Sequence, residues 1–198
     1  MAQSPLFQQF VAAITADNDE QTEQIVTQMT SSDEPTLLDW LQTADANGRW
    51  WAVRALAVCG TNAALPHLLD TLADPDPALR AVTALTLGAL YRREADAIAP
   101  LLDTLANRLT DDDGMVRQAV ADALAQCGDA AVPALARILQ GSHGGARTRA
   151  AYALRKIATM PAAGVLYRHL NDANYMVHLY AHEGLDEMGL LENILVAV

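Results

Sequence analysis

Residues 115–140 read MVRQAVADALAQCGDAAVPALARILQ, and this stretch decides the fold. It reads as one amphipathic helix, a short turn at Cys127-Gly128-Asp129 and a second helix opened near Pro133. With Arg117 as position zero, the same frame falls on Arg49, Arg80, Arg147 and His178. Seven residues on from each stands a leucine: Leu56, Leu87, Leu124, Leu154 and Leu185. Six residues on stand the small side chains of Ala55, Thr86, Ala123, Ala153 and Gly184. Gly60, Gly128 and Gly189 fall at the eleventh place, where a helix needs a stop. The zero positions are 31, 37, 30 and 31 residues apart, a period that marks stacked supersecondary units.

The second helix repeats too. LLDTLA occurs at 68–73 and again at 101–106, and Pro35-Thr-Leu-Leu-Asp-Trp-Leu is an earlier relative of it. The long step from Arg80 to Arg117 holds six inserted residues, two in the 92–97 turn and four in the 107–113 connection. Asp74-Pro75-Asp76-Pro77, Asp111-Asp112-Asp113-Gly114 and Asn171-Asp172-Ala173-Asn174 stand before first helices as turn and cap chemistry. No segment combines strict alternation with β-branched and aromatic enrichment, so no strand is predicted. The expected organisation is a single all-α domain over 1–198. An N-terminal cap helix at 5–16 precedes repeats at about 18–48, 49–79, 80–116, 117–146 and 147–177. A C-terminal half-repeat and cap at 178–198 closes about five and a half helix pairs.

The chain has 198 residues and a formal net charge of −11, which argues against sequence-independent binding to nucleic acid or anionic membrane. Hydrophobic residues make up 52% of it, mostly Ala and Leu, which favours close-packed helices over sheets. Before Arg49 there is no cation, but there are eight acids: Asp17, Asp19, Glu20, Glu23, Asp33, Glu34, Asp39 and Asp45. The opening MAQSPLFQQFVAAITA lacks a basic leader, and no apolar run approaches the ~18 residues of a spanning helix. A soluble cytoplasmic protein is the expectation.

VRQAVADALAQCGDAAVPALARIL and LRAVTALTLGAL resemble the short HEAT-like repeats named after phycobilisome lyases, and the resemblance covers roughly residues 19–189. It implies a right-handed α-α superhelix, a HEAT-like solenoid. It is specific for fold and spans several functions: phycobilin lyases, the di-iron deoxyhypusine hydroxylase, and scaffolds without chemistry. The hydroxylase pattern places His-Glu pairs directly after the zero-position arginine. Those places here hold Trp50-Trp51, Ala81-Val82, Gln118-Ala119, Thr148-Arg149 and Leu179-Tyr180. The single His-Glu pair, His182-Glu183, sits further along, so the iron ligands of that pattern are missing.

Other constellations are judged residue by residue. His178 and His182 are four apart on one helix, and His169 is the one nearby third imidazole, short of a metal site; no cofactor is expected. Cys59 and Cys127 share an inward place two repeats apart and read as core thiols. Trp40, Trp50 and Trp51 read either as packing against the N-terminal cap or as a binding hot spot, since adjacent residues point ~100° apart and Trp50 and Trp51 cannot both face inward. The arginines at position zero read as interunit devices paired with loop acids or carbonyls such as those near Asp76 or Asp113.

Aligning second helices on Leu37, Leu68, Leu101, Leu135 and Leu166 puts Asp39, Asp70, Asp103, Arg137 and Arg168 at one place, with Trp40 and His169 among their neighbours. Second helices of HEAT-like solenoids line the concave face, so these seven residues are the candidate binding groove. The expected function is a non-enzymatic scaffold or adaptor for a protein or peptide partner. A phycobilin-lyase-like chromophore enzyme or lyase subunit is the alternative that the resemblance implies.

Overall fold

The computed structural model describes residues 4–191, and every regular element among them is helical. The expected half-repeat and cap at 178–198 therefore lies partly outside the described residues. A leading helix, α1 (Pro5–Thr15), is followed by α2 (Asp19–Val26), α3 (Glu34–Leu41), α4 (Ala46–Cys59), α5 (Leu65–Thr71) and α6 (Pro77–Tyr91). Then come the single turn α7 (Ala95–Ile98), α8 (Leu102–Asn107), α9 (Gly114–Gln126), α10 (Val132–Leu139), α11 (Gly144–Ile157), α12 (Met160–Tyr167) and α13 (Tyr175–Glu187). The chain forms two compact units, one ending at Ile98 and the other beginning at Ala99. The fold is all-α, built of helix pairs of the α-α solenoid class.

The two helices of a pair start by different physics. Each first helix is capped by a side chain that accepts from a backbone N–H of the first turn. The caps are Asn18 for α2, Asp45 for α4, Asp76 for α6, Asp113 for α9, His143 for α11 and Asn174 for α13. The second helices α3, α5, α8, α10 and α12 have no such cap bond. Four of them carry proline in the first turn instead, where the missing N–H costs nothing. Short 3-10 turns at Asn62–Ala64, Ala99–Leu101 and Gly128–Ala131 lead into α5, α8 and α10 and keep their first amides bonded.

Three connections share one turn. Asp74, Asp111 and Asp172 each accept the backbone N–H two residues on, and that second residue (Asp76, Asp113 or Asn174) caps the next helix. The zero-position side chains close the same turns. Arg80 Nη1 reaches the Asp74 and Pro75 carbonyls at 2.9 and 3.0 Å, and Arg117 Nη1 reaches those of Asp111 and Asp112 at 2.6 and 2.9 Å. Arg49 adds a 2.6 Å ion pair to the Asp74 carboxylate, and Arg147 pairs with Asp172. These arginines are thus structural, and their partners are the turn carbonyls and Asp74 or Asp172; Asp76 and Asp113 are spent on capping.

In the first unit the core is built on Phe7, Phe10, Leu37, Leu56, Leu68, Leu79 and Leu87. In the second it is built on Leu105, Leu109, Leu124, Leu135, Leu154 and Leu166. The leucines at the seventh place are all buried, as are the small residues at the sixth. At Gly184 an added Cβ would lie 2.8 Å from Leu166 Cδ1, which shows why that place stays small. The inserted residues of the 107–113 connection form a 3-10 turn, Arg108–Thr110, that buries Leu109 completely.

Candidate binding surface on the second helices

In the first unit Asp39 lies on α3 and Asp70 on α5, and both are exposed. Asp70 borders a cleft of about 390 Å³ with Gln42, Arg49, His67, Thr71 and Asp74, in which Gln42 Nε2 and His67 Nδ1 are 3.2 Å apart. Trp40 is half-buried, with Phe7 and Phe10 against it at ring centroid distances of 5.6 and 5.7 Å in edge-to-face geometry. Trp40 thus packs against the leading helix. Trp51 is buried and Trp50 half-buried, with their rings at 5.0 Å and near perpendicular.

In the second unit Asp103 on α8, Arg137 on α10 and Arg168 just after α12 are all exposed. Arg137 is held from both sides: Nη2 donates to Asp103 Oδ1 at 2.8 Å, and Nη1 to Asn107 Oδ1 at 3.1 Å. The side chains of this pair are 48% and 71% exposed, so solvent screens it and it adds little stability. It does neutralise Asp103 locally. His169 is drawn inward instead: its Nδ1 lies 3.0 Å from the Asp172 carboxylate, which Arg147 also holds.

Leu101 is not the core residue of its helix. It is half-buried, while Leu102 is only 4% exposed, so the α8 register differs by one residue from the alignment on LLDTLA. This copy begins inside the 3-10 turn Ala99–Leu101, which winds ~120° per residue against ~100° in an α-helix, whereas the copy at 68–73 begins within α5, past its own 3-10 turn Asn62–Ala64.

Electrostatics reinforce the turns rather than any catalytic group. Burial works against the Asp74 carboxylate, but the Asp76 N–H and the Arg49 guanidinium outweigh it and hold its pKa below the usual carboxylate value. Asp172 is lowered likewise, with burial opposed by the Asn174 N–H, His169 and Arg147. Burial pushes the thiols of Cys59 and Cys127 up to about 12. Among the described residues no group of three or more His, Cys, Asp or Glu could hold a metal. The His178 and His182 rings do lie close, with centroids 4.4 Å apart and planes tilted by 60°, while His178 Nδ1 bonds the Leu170 carbonyl.

Two features escaped the sequence reading. Glu34 is buried at 5% exposure, and its carboxylate accepts from Thr61 N–H at 2.9 Å and from the Thr61 hydroxyl at 2.8 Å. Asp122, on a first helix, is bound by Gln118, Tyr152 and Lys156. It belongs to a polar layer that continues through the Tyr152–Tyr180 contact to Arg155, Glu183 and Glu187.

The family of HEAT repeats matches residues 34–108 and 102–185. This chain belongs to the HEAT-repeat family. Among solved structures the HEAT-repeat chain is similar to an engineered protein at 20% identity and TM-score 0.50, over 94% of this chain and 97% of that one. A second engineered protein matches at 22% identity and TM-score 0.48, over 93% and 98%. Human deoxyhypusine hydroxylase, in complex with glycerol, matches at 19% identity and TM-score 0.39 over 93% and 88%, too loose a likeness to bear on activity. The first of these supports the fold alone. No curated protein matches. Among the described residues no helix is long and apolar enough to cross a membrane.

Proposed function

We propose that this HEAT-repeat chain is a non-enzymatic scaffold that binds a protein or peptide through the exposed faces of its second helices, with 1–198 working as one repeat domain. One observation carries the reading. The same helical place presents Asp39 and Asp70 in the first unit and Arg137 and Arg168 in the second, all exposed. Asp103 is the exception: the α8 register brings Thr104 to that place, and Asp103 and Arg137 satisfy each other, which leaves Arg168 as the unpaired cation of the line among the described residues. Charge differs in the same sense: residues 1–98 hold five Lys and Arg against thirteen Asp and Glu, and residues 99–198 hold eight against eleven. A partner with a basic segment for the first unit and an acidic segment for the second suits these faces, and electrostatics of this kind acts mainly on association rate.

The test is affinity capture from the native host, followed by association kinetics of the captured partner with R137E/R168E at low salt. Association slowed by about tenfold at low salt, with the difference from the parent shrinking as salt is added, is expected. Asp186→Lys on α13 is the control, because Asp122 is tied into the polar layer of first helices. A partner indifferent to R137E/R168E but sensitive to the α13 control would overturn the proposal. The lyase-type repeat resemblance of 116–139 supplies the alternative, which a bilin-transfer assay by absorbance checks directly.

A further inference from the structure

A second cleft, of about 410 Å³, lies wholly in the first unit. Its walls are Val11, Ile14 and Thr15 at the end of α1, Asp17 in the following turn, Trp40 and Ala44 around the end of α3, and Asp45 and Asn47 at the start of α4. Val11, Ile14, Ala44 and Trp40 give it apolar lining, and Asp17 and Asp45 give it two carboxylates. The end of α1 fixes Asp17. Its N–H bonds the Ile14 carbonyl and the Asn18 N–H bonds that of Ala13, a left-handed helix stop with Asp17 at φ 51°. Glycine is the usual residue for that conformation; here a carboxylate stands in its place, exposed and with no bonded partner among the described residues. Asp45 spends one oxygen on the Gly48 N–H at 2.8 Å and keeps the other.

The indole is the remaining wall. Phe7 and Phe10 pack on Trp40 from the α1 side. Gly48 allows it to sit where it does, since a Cβ there would lie 2.9 Å from Trp40 Cζ2 and Cη2. The indole N–H donates to nothing among the described residues, and no buried side-chain nitrogen lacks a partner, so it remains open to solvent. We propose that this cleft seats an arginine side chain of a protein partner, with the guanidinium between the Asp17 and Asp45 carboxylates and against the Trp40 indole. Arginine fits better than lysine, because a planar fork serves two carboxylates at once and stacks on an aromatic ring. Charge complementarity points the same way, since residues 1–48 carry eight acids and no Lys or Arg. The free indole N–H is placed to bond a carbonyl of the partner backbone.

This proposal rests on the scaffold reading, so its test separates the two. The full chain is titrated at low salt with fluorescein-labelled hexa-arginine, hexa-lysine and hexa-citrulline, followed by anisotropy. D17N/D45N preserves the fold, because asparagine tolerates the left-handed turn and also caps helices. It should weaken hexa-arginine binding by about tenfold or more, with hexa-lysine weaker throughout and hexa-citrulline not binding. E94Q/D96N, which removes two charges elsewhere in the first unit, should change the affinity by less than about twofold. Trp40→Phe should remove the change in indole emission on binding. Equal weakening by the two double variants means a general acidic field and overturns the cleft, as does no binding. A native partner lost with R137E/R168E but indifferent to D17N/D45N overturns the cleft and leaves the scaffold reading standing. A partner with the reverse response does the opposite.

Discussion

The hexapeptide LLDTLA occurs twice, and its two copies are buried differently. At 68–73 Leu68, Thr71 and Leu72 are buried, and Leu69 is half-buried. At 101–106 the buried residues are Leu102, Leu105 and Ala106, and Thr104 is exposed. The Thr71 hydroxyl lies 3.0 Å from that of Thr83, and between them they reach the Leu68 and Leu79 carbonyls. The residue after each copy differs as well: Asp74 meets Arg49, whereas Asn107 meets Arg137. An identical string is thus an incomplete instruction. Where the entrance turn ends along the string decides which face is apolar: before Leu65 in one copy, after Leu101 in the other.

The largest effect expected from this contrast is at the leucines. Leu68→Ala should cost about 2–5 kcal/mol in urea unfolding, and so should Leu102→Ala, because both leave a void in a closed core. Leu101→Ala should cost less, about 1–2 kcal/mol, since that side chain is only partly buried. Equal losses at 68 and 101 would break the contrast.

Acid titration comes next. Because the Asp74 carboxyl is lowered in the folded chain, its stabilisation is complete above about pH 4–5 and is lost as pH falls through the folded value. Asp74→Asn should therefore be less stable than the parent at pH 7, and the two should converge by about pH 2 in acid unfolding followed by circular dichroism. Asn107→Asp should add an acid-labile step at 107 without weakening the neutral-pH fold, as Arg137 faces it from 3.1 Å.

Smaller again is the hydroxyl. Thr71→Val should cost about 0.5–1.5 kcal/mol by removing its buried bonds to Thr83 and the Leu68 carbonyl, while Thr83 keeps its bond to the Leu79 carbonyl, against under ~0.5 kcal/mol for Thr104→Val. The least sensitive position is the exposed pair: Asp103→Ala should change stability by no more than ~0.5 kcal/mol, measured by the same unfolding midpoint. A large loss there would mean that the surface of α8 is structural and would remove it from the binding face.

The repeat frame was legible because one arginine, one leucine and one small residue recur at fixed steps, and burial enforces each of them. Helix starts were legible from turn residues, but their division of labour was not. Asp76 and Asp113 look like partners for the arginines, and only the turn geometry shows them committed to capping. The register of α8 was not legible, because a string match does not show that Leu101 falls inside the 3-10 turn while Leu68 falls inside an α-helix. At the candidate surface, the charged places on second helices could be picked out. The Asp103–Arg137 pair, 34 residues apart, and the inward draw of His169 depend on side-chain directions that spacing does not encode. Trp40 was flagged for its size, while its seat against Phe7, Phe10 and Gly48 needed three separate segments to be placed.

The aspartate turns at 74–76, 111–113 and 172–174 share one bonding pattern, and those at 74 and 172 also take an arginine from the preceding first helix, Arg49 or Arg147. A junction of this kind moves intact together with the first helix before it. Such turns work as interchangeable splice points, and a gene encoding them can lengthen or shorten by whole repeats while every new boundary arrives already capped.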